Sequence, residues 1–379
     1  MGAIARARSP AQETPWLVIP SLTMPLEASP LADYELAESL GTGATANVFE
    51  ATHKPTGLVV AIKMLEPSQR GSHELRTRLE REARVLAGVR SPHVARLLGY
   101  GWEKGQPFLV LERLTGETLA DVLKRDAVVT AGRLVDWVEQ LLLGVRDIHA
   151  AGVIHRDIKP ANLFLVQHRG GDPLLKLIDF GVARLKEIAM DGMSLTSTHH
   201  LIGSMGYMAP EQLEYAKGVG PAADLYAVGV VVFRCVTGRL PFMGRSFEAL
   251  QKLKMESDPP LLSAVTVVKN EALDAFVARA LSRSPEERFA SAGDMLEAWW
   301  RVAASLSKED LWPREPTIPE YDVVLEDTET IIEYDRAGER QSVRTRTAHE
   351  QTITTTSSVV RALADEERRL ADSGDDDNV

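Results

Sequence analysis

The sequence predicts an α+β fold in two lobes: a small antiparallel, strand-rich lobe with one key helix, and a larger, mostly helical lobe. Three observations predict it. Short apolar runs separated by turn residues fill the stretch from Tyr34 to Glu112, interrupted by a single helical pattern. Residues 133–150 place Leu134, Val138, Leu141, Val145 and Ile148 on one helical stripe. From Asp224 to about residue 306 the pattern stays mostly helical.

The elements follow in order. Residues 1–30 are proline-rich without sustained periodicity and read as a flexible arm. YELAESL, a glycine-rich turn at 41–43, ANVFEATH and LVVAIKML form a succession of strands. In LRTRLEREARVLAG, Leu75, Leu79, Ala83 and Leu86 recur at steps of four, four and three, as a helix requires. ARLLGYGWE and FLVLERL add two strands, and the lobes meet near 112–116. The short runs VIH, NLFLV and LLKLIDF then alternate with polar turns. Ser291, with Asp294 three residues on, is a candidate N-terminal cap before MLEAWWRVAASL. The expected domain runs over 31–305, with a small lobe to about 115 and a large lobe from about 116. Residues 306–379 read as a threonine-rich, acidic-ended and mostly disordered tail. Within it, SVVRALADEERRLA (358–371) could form one marginal amphipathic helix.

Composition sets limits. The 379 residues suffice for one large domain with tails or for two ordinary domains. With 43 basic and 54 acidic residues the formal net charge is −11, which argues against a whole-chain nucleic-acid binder. One cysteine excludes an intramolecular disulfide framework and fits a reducing compartment. No stretch of about twenty apolar residues occurs, so no membrane span and a cytoplasmic location are expected. Cys235 lies in an apolar helix and is expected to be buried, and Trp299 and Trp300 are expected to divide between core and surface. His199 and His200 lack spaced acidic or cysteine partners and make a poor metal site.

Chemistry enters through three signals. GTGATANV (41–48) sits between two strands, and such a turn lets backbone N–H groups approach phosphates closely. Ala46 stands where a third glycine would be expected. In VAIK (60–63), alternation places Ala61 and Lys63 on one strand face, and an inward lysine needs an anion. Glu82, sharing a helix face with Leu79 and Leu86, is the candidate. HRDIKPAN (155–162) and IDFG (178–181) supply Asp157, Lys159, Asn162 and Asp179. Phosphoryl transfer needs a group to orient a hydroxyl, cations to neutralise phosphates, and oxygen ligands for those cations. Asp157 can orient the hydroxyl, Lys159 can sit near the transferred phosphate, and Asn162 and Asp179 can hold magnesium.

These pieces together resemble a eukaryotic-type (Hanks-type) protein kinase, most similar to the bacterial serine/threonine branch. GTGATANV, VAIK, Glu82 in EREA, HRDIKPAN, DFG, GSMGYMAPE (203–211), DLYAVG (224–229) and Arg288 in SPEERF stand in the family order over about residues 34–303. The resemblance implies a bilobal kinase fold, ATP as phosphoryl donor, Mg2+ (with Mn2+ a substitute), and protein substrates. It implies that Gly41, Thr42, Gly43, Ala44 and Val48 cover the nucleotide and that Ala61 lies in its pocket. Lys63 would contact the α- and β-phosphates and pair with Glu82. Glu112 to Leu114 would be the hinge whose backbone holds the adenine, with Leu111 as gatekeeper. Asp157 would orient the acceptor hydroxyl, Lys159 would sit beside the γ-phosphate, and Asn162 and Asp179 would ligate the metal. Glu211 and Arg288 would form a structural ion pair, and Asp224 would brace the catalytic loop.

Lys159, two residues after Asp157, is the serine/threonine form of the motif. Ser204 takes a position usual for threonine. Met205 stands where the bacterial branch commonly has proline, which leaves that backbone less restrained. Arg156 beside Asp157 calls for an anion, and phosphorylation of the loop between Asp179 and Glu211 would supply one. Ser194, Thr196, Ser197 and Thr198 are the candidate autophosphorylation sites. The threonine-rich tail is either a phosphoacceptor segment for a phosphothreonine-binding partner or a solvated tether. The resemblance places the protein in bacterial signalling. The rival readings are a catalytically weak pseudokinase or scaffold and a small-molecule phosphotransferase; the catalytic charges argue against the first and GSMGYMAPE against the second.

Overall fold

The computed structural model describes residues 30–43, 46–65, 73–167, 171–179, 204–214, 219–244, 246–306, 329–334 and 340–346. Residues 1–29 of the expected N-terminal arm, the four candidate phosphosites, His199, His200 and the 358–371 segment lie outside them.

The small lobe is a five-stranded antiparallel sheet. Strands β1 (Tyr34–Gly43), β2 (Ala46–His53), β3 (Leu58–Leu65), β4 (Leu97–Glu103) and β5 (Gln106–Glu112) lie in the order β1-β2-β3-β5-β4. Alternation along β3 divides its side chains as the period of two requires. Val60 and Ile62 join Tyr34, Ala51, Phe108 and Val110 in a small apolar cluster on one face. Ala61 and Lys63 point to the other face. Helix α1 (His73–Gly88) buries Ala83 and Leu86. The chain after α1 is stitched to the large lobe, because Ala95 N–H donates to Leu177 O at 2.8 Å and Leu177 N–H to His93 O at 2.9 Å.

The large lobe opens with β6 (Gly116–Thr118) and α2 (Leu119–Asp126). Thr118 caps α2 with a full capping box: its hydroxyl accepts from Asp121 N–H, and the Asp121 carboxylate accepts from Thr118 N–H. Helix α3 (Ala131–Ala150) buries the predicted stripe Leu134, Val138, Leu141, Val145 and Ile148. A three-stranded sheet follows, β6-β7-β8, with β7 Leu163–Val166 and β8 Leu174–Leu177. The run VIH (153–155) is a loop, and the backbone N–H groups of His155 and Arg156 at its end go to the Asp224 carboxylate.

Six further helices complete the described part of this lobe, counting one short turn. They are α4 (Pro210–Glu214), α5 (Ala222–Thr237), α6 (Phe247–Glu256), α7 (Leu262–Val265), α8 (Glu271–Ala280) and α9 (Ala292–Ser305). Helix α5 is apolar on all sides and correspondingly buried on all sides, Cys235 included. It ends at Gly238, whose φ of 72° is the left-handed conformation that only glycine adopts without cost. Gly229 lets α8 approach closely, since a Cβ there would stand 2.6 Å from the Ala280 methyl. Ser291 caps α9 by accepting from Asp294 N–H at 3.1 Å. The Asp294 carboxylate takes the Ser291 hydroxyl rather than its amide, so this cap is not the reciprocal box. Trp299 is fully buried and Trp300 is half exposed.

The chain divides into two compact units, Met1–Arg314 and Glu315–Val379. The second unit holds an antiparallel hairpin, β9 (Glu329–Tyr334) with β10 (Arg340–Arg346). It lies in the stretch that the sequence reading left without regular structure. The pairing sets Ile332 opposite Val343, Thr330 opposite Thr345 and Glu329 opposite Arg346.

Candidate active site

The glycine-rich turn closes a hairpin. Gly43 pairs with Ala46, Thr42 with Asn47 and Gly41 with Val48, so the chain leaves the turn as a strand. Ala46 is therefore the first residue of β2, and a glycine would not be needed there. Ala44 and the side chains of Thr42 and Gly43 lie outside the described residues.

Lys63 stands under this hairpin on β3, opposite Val48 on one side and Leu109 on the other. It is 4% exposed, and its ammonium lies 2.5 Å from Asp179 Oδ1. An ammonium buried to this degree requires a counter-charge, and the Asp179 carboxylate provides it. Glu82 sits on α1, but its side chain lies outside the described residues, so the predicted Lys63–Glu82 pair does too.

Ala61 pairs with Leu111, which packs half-buried against the large core. The connector that follows is clamped to both lobes. Arg113 Nε donates to Glu50 Oε2 on β2 at 2.6 Å. Glu112 Oε1 accepts from Lys176 Nζ on β8 at 2.6 Å and from Arg96 N–H at 2.8 Å. Leu114 also packs on the large core, and its carbonyl accepts from the Arg113 guanidinium. The side chain of Glu112 is thereby committed to structure, which leaves backbone groups of 112–114 to recognise a ligand.

The loop 155–162 carries the densest polar network. His155, fully buried, hydrogen-bonds Ile178 O through Nε2 at 3.1 Å, and its Nδ1 accepts from Asp157 N–H at 3.3 Å. The Asp224 carboxylate, 1% exposed, accepts from His155 N–H and Arg156 N–H at 2.8 Å each and contacts His149 Nε2 at 2.8 Å. Arg156 has φ 65° and Asp179 φ 62°, left-handed conformations that a side-chain-bearing residue holds only under constraint. Asp224 supplies that constraint at Arg156.

Asp157 is held from both sides. Lys159 Nζ lies 3.0 Å from its Oδ1, and Asn162 Nδ2 donates at 3.0 Å to its Oδ2 and at 2.7 Å to its carbonyl. Lys159 Nζ also donates to Ser204 Oγ at 3.2 Å. Ile178 N–H donates to Asn162 O at 2.9 Å, which brings Asp179 beside the Asn162 backbone. The structure thus gathers Lys63, Asp157, Lys159, Asn162 and Asp179 in one region between the lobes. Asn162 and Asp179 are hard oxygen donors, the type magnesium prefers. Two of them fall short of its six ligands, so phosphate oxygens and water would complete the shell. No cluster of three or more His, Cys, Asp or Glu suited to a metal occurs among the described residues.

Sequence reasoning missed several supporting groups. Gln212 accepts from Ala209 N–H at 2.9 Å and donates to Arg156 O at 3.1 Å, tying α4 to the catalytic loop. Glu50, Arg113 and Lys176 were also missed, because their partners are 63 and 64 residues away. The Glu211–Arg288 pair is bidentate, 2.7 and 2.8 Å, and the buried guanidinium donates further to the carbonyls of Ala222, Ser282 and Arg283.

A five-stranded antiparallel lobe with one helix, joined to a mostly helical lobe with Lys63, Asp157, Lys159, Asn162 and Asp179 gathered between them, is the bilobal arrangement of protein kinases. Residues 34–300 match the Protein kinase domain family, and the chain belongs to it. It is 33% identical over 262 residues to the serine/threonine-protein kinase pkn3 of Myxococcus xanthus, covering 68% of this chain and 48% of the relative. It is 35% identical over 262 residues to the serine/threonine-protein kinase PknH of Mycobacterium bovis, covering 69% and 42%. The chain spans less than half the length of these curated relatives. The kinase domain of Mycobacterium tuberculosis PknI superposes with a TM-score of 0.56 at 27% identity, over 72% of this chain and 98% of that domain. Among the described residues no helix is long and apolar enough to cross a membrane.

Proposed function

We propose that this chain is a serine/threonine protein kinase that transfers the γ-phosphoryl group of ATP to protein hydroxyls. One observation carries the reading: Lys159 touches both the Asp157 carboxylate, at 3.0 Å, and the Ser204 hydroxyl, at 3.2 Å. A hydroxyl beside Asp157 therefore meets an oriented carboxylate and a neighbouring cation. In the transfer, the bond from γ-phosphorus to the oxygen bridging to the β-phosphate breaks, and ADP leaves with that electron pair. The acceptor oxygen forms the new bond to phosphorus, and its proton passes to Asp157. Lys63 binds the α- and β-phosphates, Asp157 orients the acceptor, and Lys159 offsets charge on the moving phosphoryl group. Magnesium, held by Asn162 and Asp179, supplies neutralisation of the phosphate charge when bound. The backbone of 112–114 takes the adenine edge.

The reading includes autophosphorylation at Ser194, Thr196, Ser197 or Thr198. Arg156, adjacent to Asp157, has the fork of donors that a phosphate takes. Alanine at all four positions should lower specific activity, and unchanged activity would reject this part. For the threonine-rich tail the reading keeps two roles, a phosphoacceptor segment for a phosphothreonine-binding partner and a solvated tether. Phosphopeptide mapping after incubation with magnesium ATP separates them, label within 345–358 favouring the first and its absence the second.

The test of the whole reading uses labelled ATP with wild type and Asp157→Ala, each acting on itself and on histone. Label with wild type alone supports it. Equal label with both rejects catalysis by this site, and label with neither favours a scaffold.

A further inference from the structure

Lys254 lies on α6, far in sequence from the site residues, and is 1% exposed. Its ammonium has three protons and gives them to three main-chain carbonyls: Met205 at 3.0 Å, Gly206 at 2.8 Å and Met208 at 2.5 Å. Its Nζ also stands 5.3 Å from the centre of the Tyr226 ring on α5. The carboxylate that acts on it, Glu211 on α4, is committed bidentately to Arg288. Arg288 itself sits 5.0 Å from the same Tyr226 ring, so Lys254 shares its pocket with a like charge. Burial first, then Arg288, pushes its ammonium from 10.5 down to about 7, with Glu211 opposing.

An ion pair or lysine buried in such surroundings is a poor stabiliser, and an apolar side chain of equal length would fill the space. What the ammonium does provide is geometry. The 204–209 segment is tied at its start by Ser204 to Lys159 and at its end by Ala209 to Gln212, which reaches Arg156 O. Met205 and Gly206, between these ties, have no ring to restrict φ. Lys254 grips this stretch from beneath.

We propose that Lys254 is a positioning residue for the protein acceptor, fixing the backbone of 205–208 beside the catalytic loop. This rests on the kinase reading above. The three carbonyls are satisfied together by the three protons of the ammonium. The titratable groups that face it are Glu211 on α4, Arg288, and Tyr226 on α5, whose hydroxyl is pushed up by burial and stays protonated.

Two measurements test this, and the first needs no catalysis. Hydrogen exchange at about pH 6 should show the 204–209 amides, corrected for intrinsic rate, exchanging about tenfold faster in Lys254→Met than in wild type, while 155–162 is unchanged. The second measurement is kinetic. Lys254→Met should raise KM for histone about tenfold, with KM for ATP and kcat within about twofold of wild type. Unchanged protection at 204–209 in the variant overturns the proposal, and so does a rise in KM for ATP equal to that for histone. If neither protein phosphorylates anything, the kinase reading fails while the exchange result still decides the role of Lys254.

Discussion

Arg156 and Asp179 hold left-handed backbones on either side of the catalytic machinery, at φ 65° and 62°. Each such residue costs about 1–2 kcal/mol, so something must hold it. At Arg156 the holder is Asp224, whose two oxygens accept from two backbone amides and contact His149. Asparagine offers one oxygen in place of two and turns an NH2 toward a donor. Asp224→Asn should therefore lower stability by about 2–5 kcal/mol and kcat at least tenfold, as read by denaturant unfolding and steady-state kinetics. Tyr226 and Arg288 make a contrasting pair. The Tyr226 hydroxyl is buried without a hydrogen-bond partner among the described residues, so Tyr226→Phe should leave stability unchanged or raise it by about 1 kcal/mol. Arg288→Ala leaves the Glu211 carboxylate and three carbonyls without their donor and should cost about 3–5 kcal/mol. Thermal melting should thus fall for Arg288→Ala and not fall for Tyr226→Phe.

Elements differed in how plainly the sequence announced them. The β3 alternation, the α3 stripe and the all-apolar α5 were legible because a single periodicity with burial on a known face leaves one solution. VIH carried no assignment, since an apolar triplet is too short to show a period, and the carboxylate that takes the His155 amide lies 69 residues on. The α9 cap was legible in Ser291, whereas the more complete box at Thr118 and Asp121 was not sought, because nothing at 118 marks a change of pattern except the helix itself. The β9–β10 hairpin escaped for another reason: in ETIIEY the two isoleucines are adjacent, so the sequence shows no apolar–polar alternation there. Packing between helices was also invisible. Gly229 reads as a poor helix former, worth about 1 kcal/mol against alanine. Its place against Ala280 reverses the sign, and Gly229→Ala should destabilise by about 1–3 kcal/mol by chemical denaturation.

Across the whole molecule, the site was more legible than its support. Lys63, Asp157, Lys159, Asn162 and Asp179 stand in ordered motifs, and the fold brings them together. The groups that aim them do not: Asp224, Gln212, Glu50, Lys176 and Lys254 act across long separations that carry no local pattern, and of these only Asp224 was reached, through the family resemblance. Burial has global consequences for titration. Cys235, pushed up to about 12 by its apolar surroundings, should resist alkylation at neutral pH until the chain unfolds, which a thiol reagent followed by mass spectrometry checks. Lys254, held at about 7 against an ordinary 10.5, binds its proton more weakly folded than unfolded. Its burial cost is full below about pH 7 and is relieved as pH rises toward about 10.5. Wild type should therefore gain stability relative to Lys254→Met over that window.

The central claim is that Asp157 directs phosphoryl transfer to serine and threonine hydroxyls. The most direct measurement is to identify the modified residues in histone after incubation with magnesium ATP and either wild type or Asp157→Ala, by fragmentation mass spectrometry. The account predicts phosphoserine and phosphothreonine with wild type and none with the variant. Phosphotyrosine as the main product, or the same sites modified at the same rate by Asp157→Ala, would contradict it.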